Sequence, residues 1–465
     1  ILADSIKGPS NKDTTRVKYL RIYPYAQATS HIIGYRQLAD QKALDADTCN
    51  TPLTLNDKIG KNGIEGLFDC ILRGSSGKRL LETDSKGSVK KILAIINPKK
   101  GTNITTSLDG DLQKSINETI VNNDIVTNQA INLDEQKIAV IATKPQTGEI
   151  LALYSHPTFD PNAFENQDVK ALRSYFSNKS NPLFNRAVSG TYPPGSVIKP
   201  MIAAAALEEN AIDKDTEIED TGQIQAGKQL FGNWFFLQYG KKDGMVNVVK
   251  SLQRSNDIFY YTVGAKLRIE NIKKWAYIFG YGKKTGIGLS EAEGVIPSAF
   301  WKETTLHERW YLGDTYNLSI GQGYLLTTPL QVHFANEPFA NKGYACKPML
   351  YKVDSTHLPS CKKLPVKDTT LDLVREGMRK ACETGGTGWP FFNWKLPNGQ
   401  IIPVGCKTGT AESKHKGHPP HAWFTIFAPF DNPEIHITIM VEESGEGSNV
   451  AAPIAKTILT KYFTR

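Results

Sequence analysis

The chain has 465 residues, of which 40% are apolar and 22% charged, and this composition is typical of a soluble globular protein with two or three domains. Its net charge of +8 suits a polyanionic neighbour such as a membrane surface or an acidic polymer, but no nucleic-acid-binding signature accompanies the charge. No segment approaches the roughly 20 apolar residues that span a bilayer. The chain begins at Ile1 without an initiating methionine, so we expect that an anchoring or targeting segment preceded it.

The first part of the chain predicts a small module rich in β-strands. The segment "YLRIYPYAQATSHIIGY" alternates apolar and polar positions before a turn at Gly34, which favours a strand. The later segment "DSKGSVKKILAIINP" predicts a hairpin-like pair of strands. We therefore expect one domain over residues 1–102 and a second over residues 103–465.

The second domain is predicted to be α+β. Two strands surround a turn in "KIAVIATKPQTGEILALYSHP", and "HAWFTIFAPF" with "EIHITIMVEES" predicts a further pair near the C-terminus. Between these strand pairs, apolar periodicity predicts long helices over Ser196–Glu209, Val246–Leu267 and Asn271–Phe279. A helical centre between terminal strands indicates that the first and last strands share one sheet.

The chain contains six cysteines and no C-x-x-C pair, so a zinc or redox motif is weakly indicated. The even number permits disulfides in an exported protein. Cys346 and Cys361 flank a short polar stretch that could form a hairpin, and they are the first candidate pair. We expect Cys382 and Cys406 to be free buried thiols.

The segment "GTYPPGSVIKP" places a serine where chemistry could occur. Two prolines and a glycine cannot lie inside a helix, so the helix should begin near Ser196, with the hydroxyl at the positive end of the helix dipole. Lys199 lies three positions later on the same face, where a neutral amine could take the serine proton. The alternative is that Ser196 only caps the helix and Lys199 is a surface residue.

The S-x-x-K spacing alone does not distinguish these two interpretations, because it also begins at four other serines. Among the five, only Ser196 has a helix-breaking lead and an apolar helix behind it. The spacing starts at Ser75, Ser88, Ser196, Ser360 and Ser413.

Two further motifs favour a catalytic site. "SLQRSNDIFYY" places Ser255, Asn256 and Asp257 at the start of an apolar helical run, where they could line a cleft wall or merely cap the helix. "GCKTGTAES" holds Lys-Thr-Gly-Thr over residues 407–410 in a predicted strand, and its glycine would let a ligand approach the backbone closely. A second Lys-Thr-Gly over residues 284–286 lies in a glycine-rich loop and is interpreted as structural.

S-x-x-K, S-x-[ND] and K-T-G in this order form a signature of penicillin-recognising serine enzymes. Over nearly its whole length the chain resembles a class B penicillin-binding protein, a peptidoglycan D,D-transpeptidase. "GIEGLFDCILRG" resembles the N-terminal pedestal of that family, and "NRAVSGTYPPGSVIKP" and "LSIGQGYLLTTPLQ" resemble its transpeptidase domain. The resemblance implies a central antiparallel sheet with helices on both sides, plus a small strand-rich pedestal.

The resemblance also implies the catalytic roles. Ser196 would be the acylated nucleophile and Lys199 its general base. Ser255 and Asp257 would line the opposite wall, with Ser255 relaying a proton to the leaving amine. Lys407 would set a positive potential. Many members have Asn where this chain has Asp257, and the aspartate resembles the elongation-type, cell-shape branch.

The remaining site residues implied by the family bind substrate. Asn256, Thr408, Gly409 and Thr410 form this group, and the two threonines would help to hold the substrate carboxylate. The backbone N–H groups of Ser196 and Thr410 would form an oxyanion hole. No cofactor and no metal is implied.

The implied function is crosslinking of peptidoglycan stem peptides through an acyl-enzyme that β-lactams mimic. Partners would be D-Ala-D-Ala stem peptides, β-lactam antibiotics and a membrane glycan polymerase, at the extracytoplasmic face of a bacterial membrane. A D,D-carboxypeptidase, a serine β-lactamase and a non-catalytic β-lactam sensor share the same fold and remain alternatives. The pedestal and the length favour the transpeptidase.

Two other patterns have simpler interpretations. His415, His418 and His421 lie close together and suggest a metal, but Pro419 and Pro420 favour a flexible loop, and we expect no metal here. "TGGTG" over residues 384–388 lacks the Lys-Ser/Thr ending of a phosphate-binding loop and is expected to be a loop at the cleft edge.

Overall fold

The computed structural model describes residues 2–6, 16–50, 53–55, 57–75, 77–125, 132–354 and 356–465. Numbered along the chain, the β-strands are β1 Leu2–Ile6, β2 Arg16–Leu20, β3 Arg36–Leu38, β4 Lys58–Gly60, β5 Lys78–Thr83, β6 Val89–Ile96, β7 Ile138–Lys144, β8 Glu149–His156, β9 Ile218–Asp220, β10 Gln223–Ala226, β11 Gln229–Gly232, β12 Gly244–Val246, β13 Tyr344–Cys346, β14 Cys361–Lys363, β15 Gly405–Ala411, β16 His421–Ala428 and β17 Ile435–Val441.

The α-helices, numbered in the same way, are α1 Ser30–Ile33, α2 Gln41–Asp45, α3 Gly63–Leu67, α4 Asp69–Leu72, α5 Gly110–Val121, α6 Pro161–Asn166, α7 Val169–Ser177, α8 Arg186–Ser189, α9 Lys199–Glu208, α10 Trp234–Tyr239, α11 Val248–Arg254, α12 Asp257–Ile278, α13 Ala299–Leu306, α14 Leu312–Ser319, α15 Pro329–Ala340, α16 Asp368–Ala381 and α17 Ala451–Phe463. Short 3₁₀ helices lie at Ala26–Thr29, Leu133–Glu135, Gly195–Ile198 and Trp389–Phe391.

The chain divides into two compact units. The first comprises Ile1–Thr106 with Thr158–Lys179, and the second comprises Ser107–Pro157 with Ser180–Arg465. Compactness does not establish independent folding, so the expected domain boundary between residues 102 and 103 stays a prediction.

The first unit combines two-stranded sheets with short helices. Its strands pair antiparallel as β1–β2, β3–β4 and β5–β6. The strand predicted over residues 19–35 is wrong for most of its length, because β2 ends at Leu20 and short helices follow. A buried carboxylate, Glu165, accepts hydrogen bonds from Arg36 Nη2 at 2.7 Å and from the backbone N–H of Arg21 at 2.9 Å. These bonds attach α6 to the N-terminal segment.

The second unit is built around a five-stranded sheet in the order β15-β16-β17-β7-β8. Every neighbouring pair is antiparallel, with β17 against β7 joining the C-terminal strands to the earlier hairpin. This arrangement confirms the predicted central antiparallel sheet and the predicted sharing of one sheet by the first and last strands. It also brings the Lys-Thr-Gly strand to the sheet edge.

Helices cover both faces of the sheet, and nearly all of the residues on both faces are buried. On one face, alternate residues such as Val140 and Ile437 pack against α5 and α17 in a continuous buried core. The opposite face is covered by α15. The buried ring of His333 on this helix forms hydrogen bonds to two threonines of the sheet, from Nε2 to Thr143 Oγ1 at 2.9 Å and from Nδ1 to Thr438 Oγ1 at 3.0 Å. The sheet is therefore the fixed layer on which the helical part is built.

The helical part differs from its sequence prediction at the Ser-Asn-Asp motif. A single helix was predicted over Val246–Leu267, but α11 ends at Arg254 and α12 begins at Asp257. The predicted separation of a further helix over Asn271–Phe279 is confirmed, because Arg268 has non-helical backbone angles (φ +61°, ψ +162°) that kink α12 just before it. Lys199–Leu207 of α9 is buried throughout, as an apolar helix with no polar face requires. Within the described ranges, no helix combines the length and apolar character needed to cross a membrane.

All six cysteines form disulfides. Cys346 pairs with Cys361 across β13 and β14, as predicted. The prediction of free thiols at Cys382 and Cys406 is wrong, because α16 packs beside β15 and the two sulfurs are bonded. The third pair is Cys49 with Cys70 in the first unit.

Candidate active site

The expected nucleophile lies on a 3₁₀ turn rather than on an α-helix. The turn spans Gly195–Ile198, and α9 starts at Lys199 with Pro200 in its first turn, where a missing N–H costs no hydrogen bond. A 3₁₀ turn has three residues per turn, so the side chains of Ser196 and Lys199 eclipse each other. Ser196 is partly exposed, whereas Lys199 is fully buried.

A glycine before the serine brings this turn against the Lys-Thr-Gly strand. Gly195 has φ +58°, and a Cβ added to it would lie 2.7 Å from the carbonyl oxygen of Thr410. Its N–H donates to the carbonyl of Gly321 at 2.8 Å. Glycine is therefore required for two reasons, the left-handed backbone and the close approach to β15.

The Ser-Asn-Asp motif occupies the break between α11 and α12. Ser255 closes α11 in the left-handed conformation, with φ +52°, and its carbonyl accepts a hydrogen bond from Lys199 Nζ at 2.7 Å. Asn256 caps α12 by accepting from the N–H of Phe259 at 2.9 Å. A strained non-glycine backbone at this position is characteristic of functional sites.

Asn256 has a structural position. Its side chain is fully buried, and Nδ2 donates to Asp220 Oδ2 and to Asp243 Oδ2, both at 3.0 Å. The side chain is not among the residues that line the pocket described below. The amide thus fixes the loop that carries Ser255 and Asp257.

Asp257 forms an ion pair with the expected general base. Its Oδ1 lies 2.7 Å from Lys199 Nζ, and its Oδ2 accepts from the backbone N–H of Trp234 at 3.0 Å. The N–H of Asp257 donates to Asn233 Oδ1 at 3.1 Å. The carboxylate is therefore held from two sides and pointed at Lys199.

Lys407 of β15 reaches the same hydroxyl as Lys199. It is fully buried and donates to Ser255 Oγ at 2.8 Å and to the carbonyl of Thr408 at 2.8 Å. Lys199 Nζ lies 3.3 Å from the same Ser255 Oγ. The serine hydroxyl is thus a bridge between the two amines, whereas Ser196 Oγ has no side-chain hydrogen bond to a described residue.

Burial governs the charge state of both lysines. Desolvation lowers the pKa of Lys199 below its usual value, and the Asp257 carboxylate opposes that change. Desolvation, followed by repulsion from Lys199, lowers the pKa of Lys407 well below its usual value. Because neutral oxygens are the hydrogen-bond acceptors of Lys407, it is the lysine more readily found uncharged in this arrangement.

A pocket of about 800 Å³ opens above these groups. Of the residues predicted for the site, it is lined by Ser196, Ser255, Asp257, Thr408, Gly409 and Thr410. Lys199 and Lys407 are fully buried and are not among the residues that line the pocket. Gly386 and Thr387 also line it, so the predicted loop at the cleft edge is found there.

Other residues that line the pocket are not predictable from local sequence motifs. Trp234, Tyr261 and Gln322 belong to elements that only the fold brings to the pocket, and no local motif marks them. Gln322 Nε2 contacts the carbonyl of Thr410 at 3.4 Å. The second Lys-Thr-Gly lies in a loop, where Glu291 accepts from the N–H of Thr285 at 2.8 Å, as expected for a structural element.

Comparison with known families defines the class of this protein. The penicillin binding protein transpeptidase domain matches residues 138–460, and the penicillin-binding protein dimerisation domain matches residues 13–106. The chain belongs to the penicillin-binding protein transpeptidase family. The predicted class B penicillin-binding protein is confirmed, and with it the predicted enzyme class, a serine-type D,D-transpeptidase.

Individual relatives are similar over most of the chain. The peptidoglycan D,D-transpeptidase MrdA of Salmonella typhimurium strain SL1344 is 32% identical over 95% of this chain and 72% of its own length. A Helicobacter pylori penicillin-binding protein, PBP2, in complex with MreC has a TM-score of 0.81 and 29% identity, covering 97% of this chain and 80% of that one. A peptidoglycan synthase complex that coordinates polymerization and crosslinking gives a TM-score of 0.82 and 28% identity, covering 97% and 77%.

Proposed function

We propose that this protein crosslinks peptidoglycan stem peptides through an acyl-enzyme on Ser196. The observation that carries the proposal is the convergence of two buried lysines on one hydroxyl, below a serine that lines the pocket. Lys199 Nζ lies 3.3 Å and Lys407 Nζ 2.8 Å from Ser255 Oγ. Buried amines with lowered pKa values can exchange protons near neutral pH, as acyl transfer requires.

The first half-reaction acylates the serine. Ser196 Oγ attacks the carbonyl carbon between the two D-alanines, and its proton passes to neutral Lys199 Nζ. The N–H groups of Ser196 and Thr410 stabilise the oxyanion. The C–N bond then breaks, and a proton delivered through Ser255 Oγ allows D-alanine to leave as an amine. A β-lactam follows the same path, but its leaving amine stays attached and the adduct persists.

The second half-reaction transfers the acyl group. The amine of a neighbouring stem peptide attacks the ester carbonyl, loses a proton to the lysine–serine relay, and forms the crosslink as Ser196 Oγ leaves with a proton. Thr408 and Thr410 hold the donor carboxylate beside Lys407 in the first half-reaction. Asn256 acts through the loop that it fixes and is a positioning residue.

Intact-mass spectrometry after penicillin treatment tests the nucleophile. Wild-type protein should gain the mass of one penicilloyl group, which maps to the peptide containing Ser196, and Ser196→Ala should gain none. Ser413→Ala is a matched control, because Ser413 also begins an S-x-x-K spacing and lines the same pocket. Labelling of Ser196→Ala at the wild-type level would reject the assignment.

The same adduct distinguishes transferase from hydrolase. We expect it to last many minutes, since a β-lactamase would hydrolyse it rapidly. With a D-Ala-D-Ala donor and an amine acceptor, the main product should be the crosslinked peptide. A product mixture that contains only the shortened donor would instead establish a D,D-carboxypeptidase.

The location and partner follow from the same proposal. Three disulfides suit an oxidising compartment, which supports the extracytoplasmic face of a bacterial membrane. The family membership supports a membrane glycan polymerase as partner, which would supply the strands to be crosslinked. Alkylation of the protein in intact cells, read by mass spectrometry, should find all six cysteines protected, and free thiols at these positions would contradict the proposed location.

A further inference from the structure

A cluster of metal-ligating side chains lies at the rim of the pocket, outside the catalytic groups. His415 Nδ1 lies 2.6 Å from Glu443 Oε1, and His418 Nδ1 lies 2.7 Å from Glu443 Oε2. The three ligand atoms lie within 4.8 Å of one another. Both histidines line the pocket that contains Ser196.

The carboxylate of this cluster is fixed before any ligand arrives. Ser413 Oγ donates to Glu443 Oε1 at 2.5 Å, and the N–H of Glu443 donates to His421 Nδ1 at 3.2 Å. Glu443 also has φ +44°, a left-handed conformation that costs a non-glycine residue about 1–2 kcal/mol. A strained residue whose backbone and side chain are both held is a feature that accompanies functional sites.

The three histidines differ in solvent exposure. His415 and His418 are exposed on the loop between β15 and β16, so an ion can reach them from solvent. His421 is buried, and its Nδ1 accepts the hydrogen bond from the Glu443 N–H behind the carboxylate. The three histidines of the sequence pattern therefore divide into two ligands and one support.

The geometry points to a site for a divalent transition metal ion of the zinc class, held by His415, His418 and Glu443. Two imidazoles and one carboxylate are a ligand set that zinc uses in proteins when further coordination positions stay open. The ion would replace the two ring N–H···carboxylate hydrogen bonds, with each neutral imidazole binding through Nδ1 and carrying its proton on Nε2. We expected no metal because Pro419 and Pro420 favour a flexible loop. These prolines follow His418, and they do not prevent His415 and His418 from contacting the same carboxylate.

The neighbouring charges indicate which ions this site selects. Lys414 and Lys416 flank His415 in the sequence and add positive charge to the loop. Ions held mainly by electrostatic attraction to oxygen, such as Mg²⁺ and Ca²⁺, are disfavoured there, whereas imidazole favours Zn²⁺, Ni²⁺ and Co²⁺. The site does not depend on the roles proposed for Ser196 and the lysines.

Calorimetric titration with ZnCl₂, on protein freed of any affinity tag and of chelators, tests the inference. We expect one equivalent to bind, and Co²⁺ to give the visible absorption of a protein-bound ion in place of the hydrated one. His415→Ala and His418→Ala should each weaken binding more than about 100-fold, because loss of a ligand exceeds the 10- to 100-fold cost of losing a supporting group.

A matched control is available elsewhere in the chain. His357 is an exposed histidine that also lies beside a carboxylate, Asp354 at 3.1 Å, but it has no second imidazole. His357→Ala should bind Zn²⁺ like the wild type. Thermal unfolding of each variant without metal should match the wild type, which verifies folding. Absence of stoichiometric Zn²⁺ binding, or binding that His415→Ala and His418→Ala leave unchanged, overturns the inference.

Discussion

Substitution of the glycine before the nucleophile offers a quantitative test of how the site is assembled. In Gly195→Ala the new Cβ would lie 2.7 Å from the Thr410 carbonyl oxygen, whereas ordinary contact begins at 3.4 Å, so the turn and β15 must separate by about 0.7 Å (3.4 − 2.7). Overpacking of this kind costs about 1–3 kcal/mol. The left-handed φ of +58° adds about 1–2 kcal/mol for alanine.

A second glycine separates these two costs. Gly227 has φ +61° in the β10–β11 turn, with nothing within 4 Å of an added Cβ, so Gly227→Ala has the conformational cost alone. We expect denaturant unfolding to show a loss of about 2–5 kcal/mol for Gly195→Ala and about 1–2 kcal/mol for Gly227→Ala.

The same pair of variants tests the position of the nucleophile. Misplacement by about 1 Å can cost on the order of 100-fold in rate. Stopped-flow acylation by a fluorescent penicillin should therefore fall by about 10- to 100-fold in Gly195→Ala and stay unchanged in Gly227→Ala. Equal stability losses in the two variants, or wild-type acylation by Gly195→Ala, would refute the close-approach reasoning.

Three further predictions concern buried charges and crosslinks. Asp257→Asn removes the carboxylate that opposes the lowered pKa of Lys199, so the acid limb of the pH profile for acylation should move to lower pH; an unmoved limb would exclude Lys199 as the titrating base. Glu337→Gln should raise the thermal unfolding midpoint at pH 8 but not at pH 4. Burial raises the pKa of Glu337 well above its usual value, so the folded protein loses stability as the pH rises from the usual pKa of a glutamate towards the raised one. Midpoints of the variant and the wild type that change with pH in the same way would contradict this. The Cys382→Ala/Cys406→Ala variant loses a crosslink between cysteines 24 residues apart and should unfold about 3.5 kcal/mol more easily, and unchanged unfolding would show that the bond adds nothing.

The sequence was sufficient where the site depends on short spacings. Ser196 and Lys199 are three residues apart behind a Pro-Pro-Gly lead, and any helical turn places them on one face. The Lys-Thr-Gly-Thr motif lies in a strand whose alternation puts its lysine and threonines on opposite faces. The sheet was predictable for another reason, because β7, β8 and β16 are largely apolar runs.

The sequence was insufficient where tertiary contacts override local preference. The apolar periodicity of residues 246–267 is continuous, although Ser255, Asn256 and Asp257 are residue types that cap helices. The positive φ that ends α11 at Ser255 is one that serine does not favour. The Ser255 carbonyl accepts a hydrogen bond from Lys199, which is 56 residues away in the sequence. The Cys382–Cys406 pair likewise requires α16 to lie beside β15, a packing relation that no spacing encodes.

In the proposed mechanism, substrate binding determines which of the two buried lysines is charged. At rest, Lys199 is paired with Asp257 while Lys407 contacts only neutral oxygens, so Lys199 is the better-stabilised cation. Acylation requires the reverse, a neutral Lys199. A donor carboxylate bound beside Lys407 favours a charged Lys407, whose repulsion lowers the pKa of Lys199.

The proton can then move between the lysines through Ser255 Oγ, which lies within hydrogen-bond distance of both, so that substrate binding itself prepares the base. A donor amidated at its C-terminus cannot drive this transfer and should therefore lower kcat as well as raise KM. An amidated donor that raised KM but kept the wild-type kcat would show that the carboxylate only binds. Ser255→Ala should lower acylation by about 10²- to 10⁴-fold for the normal donor, because it removes the bridge while leaving both amines in place.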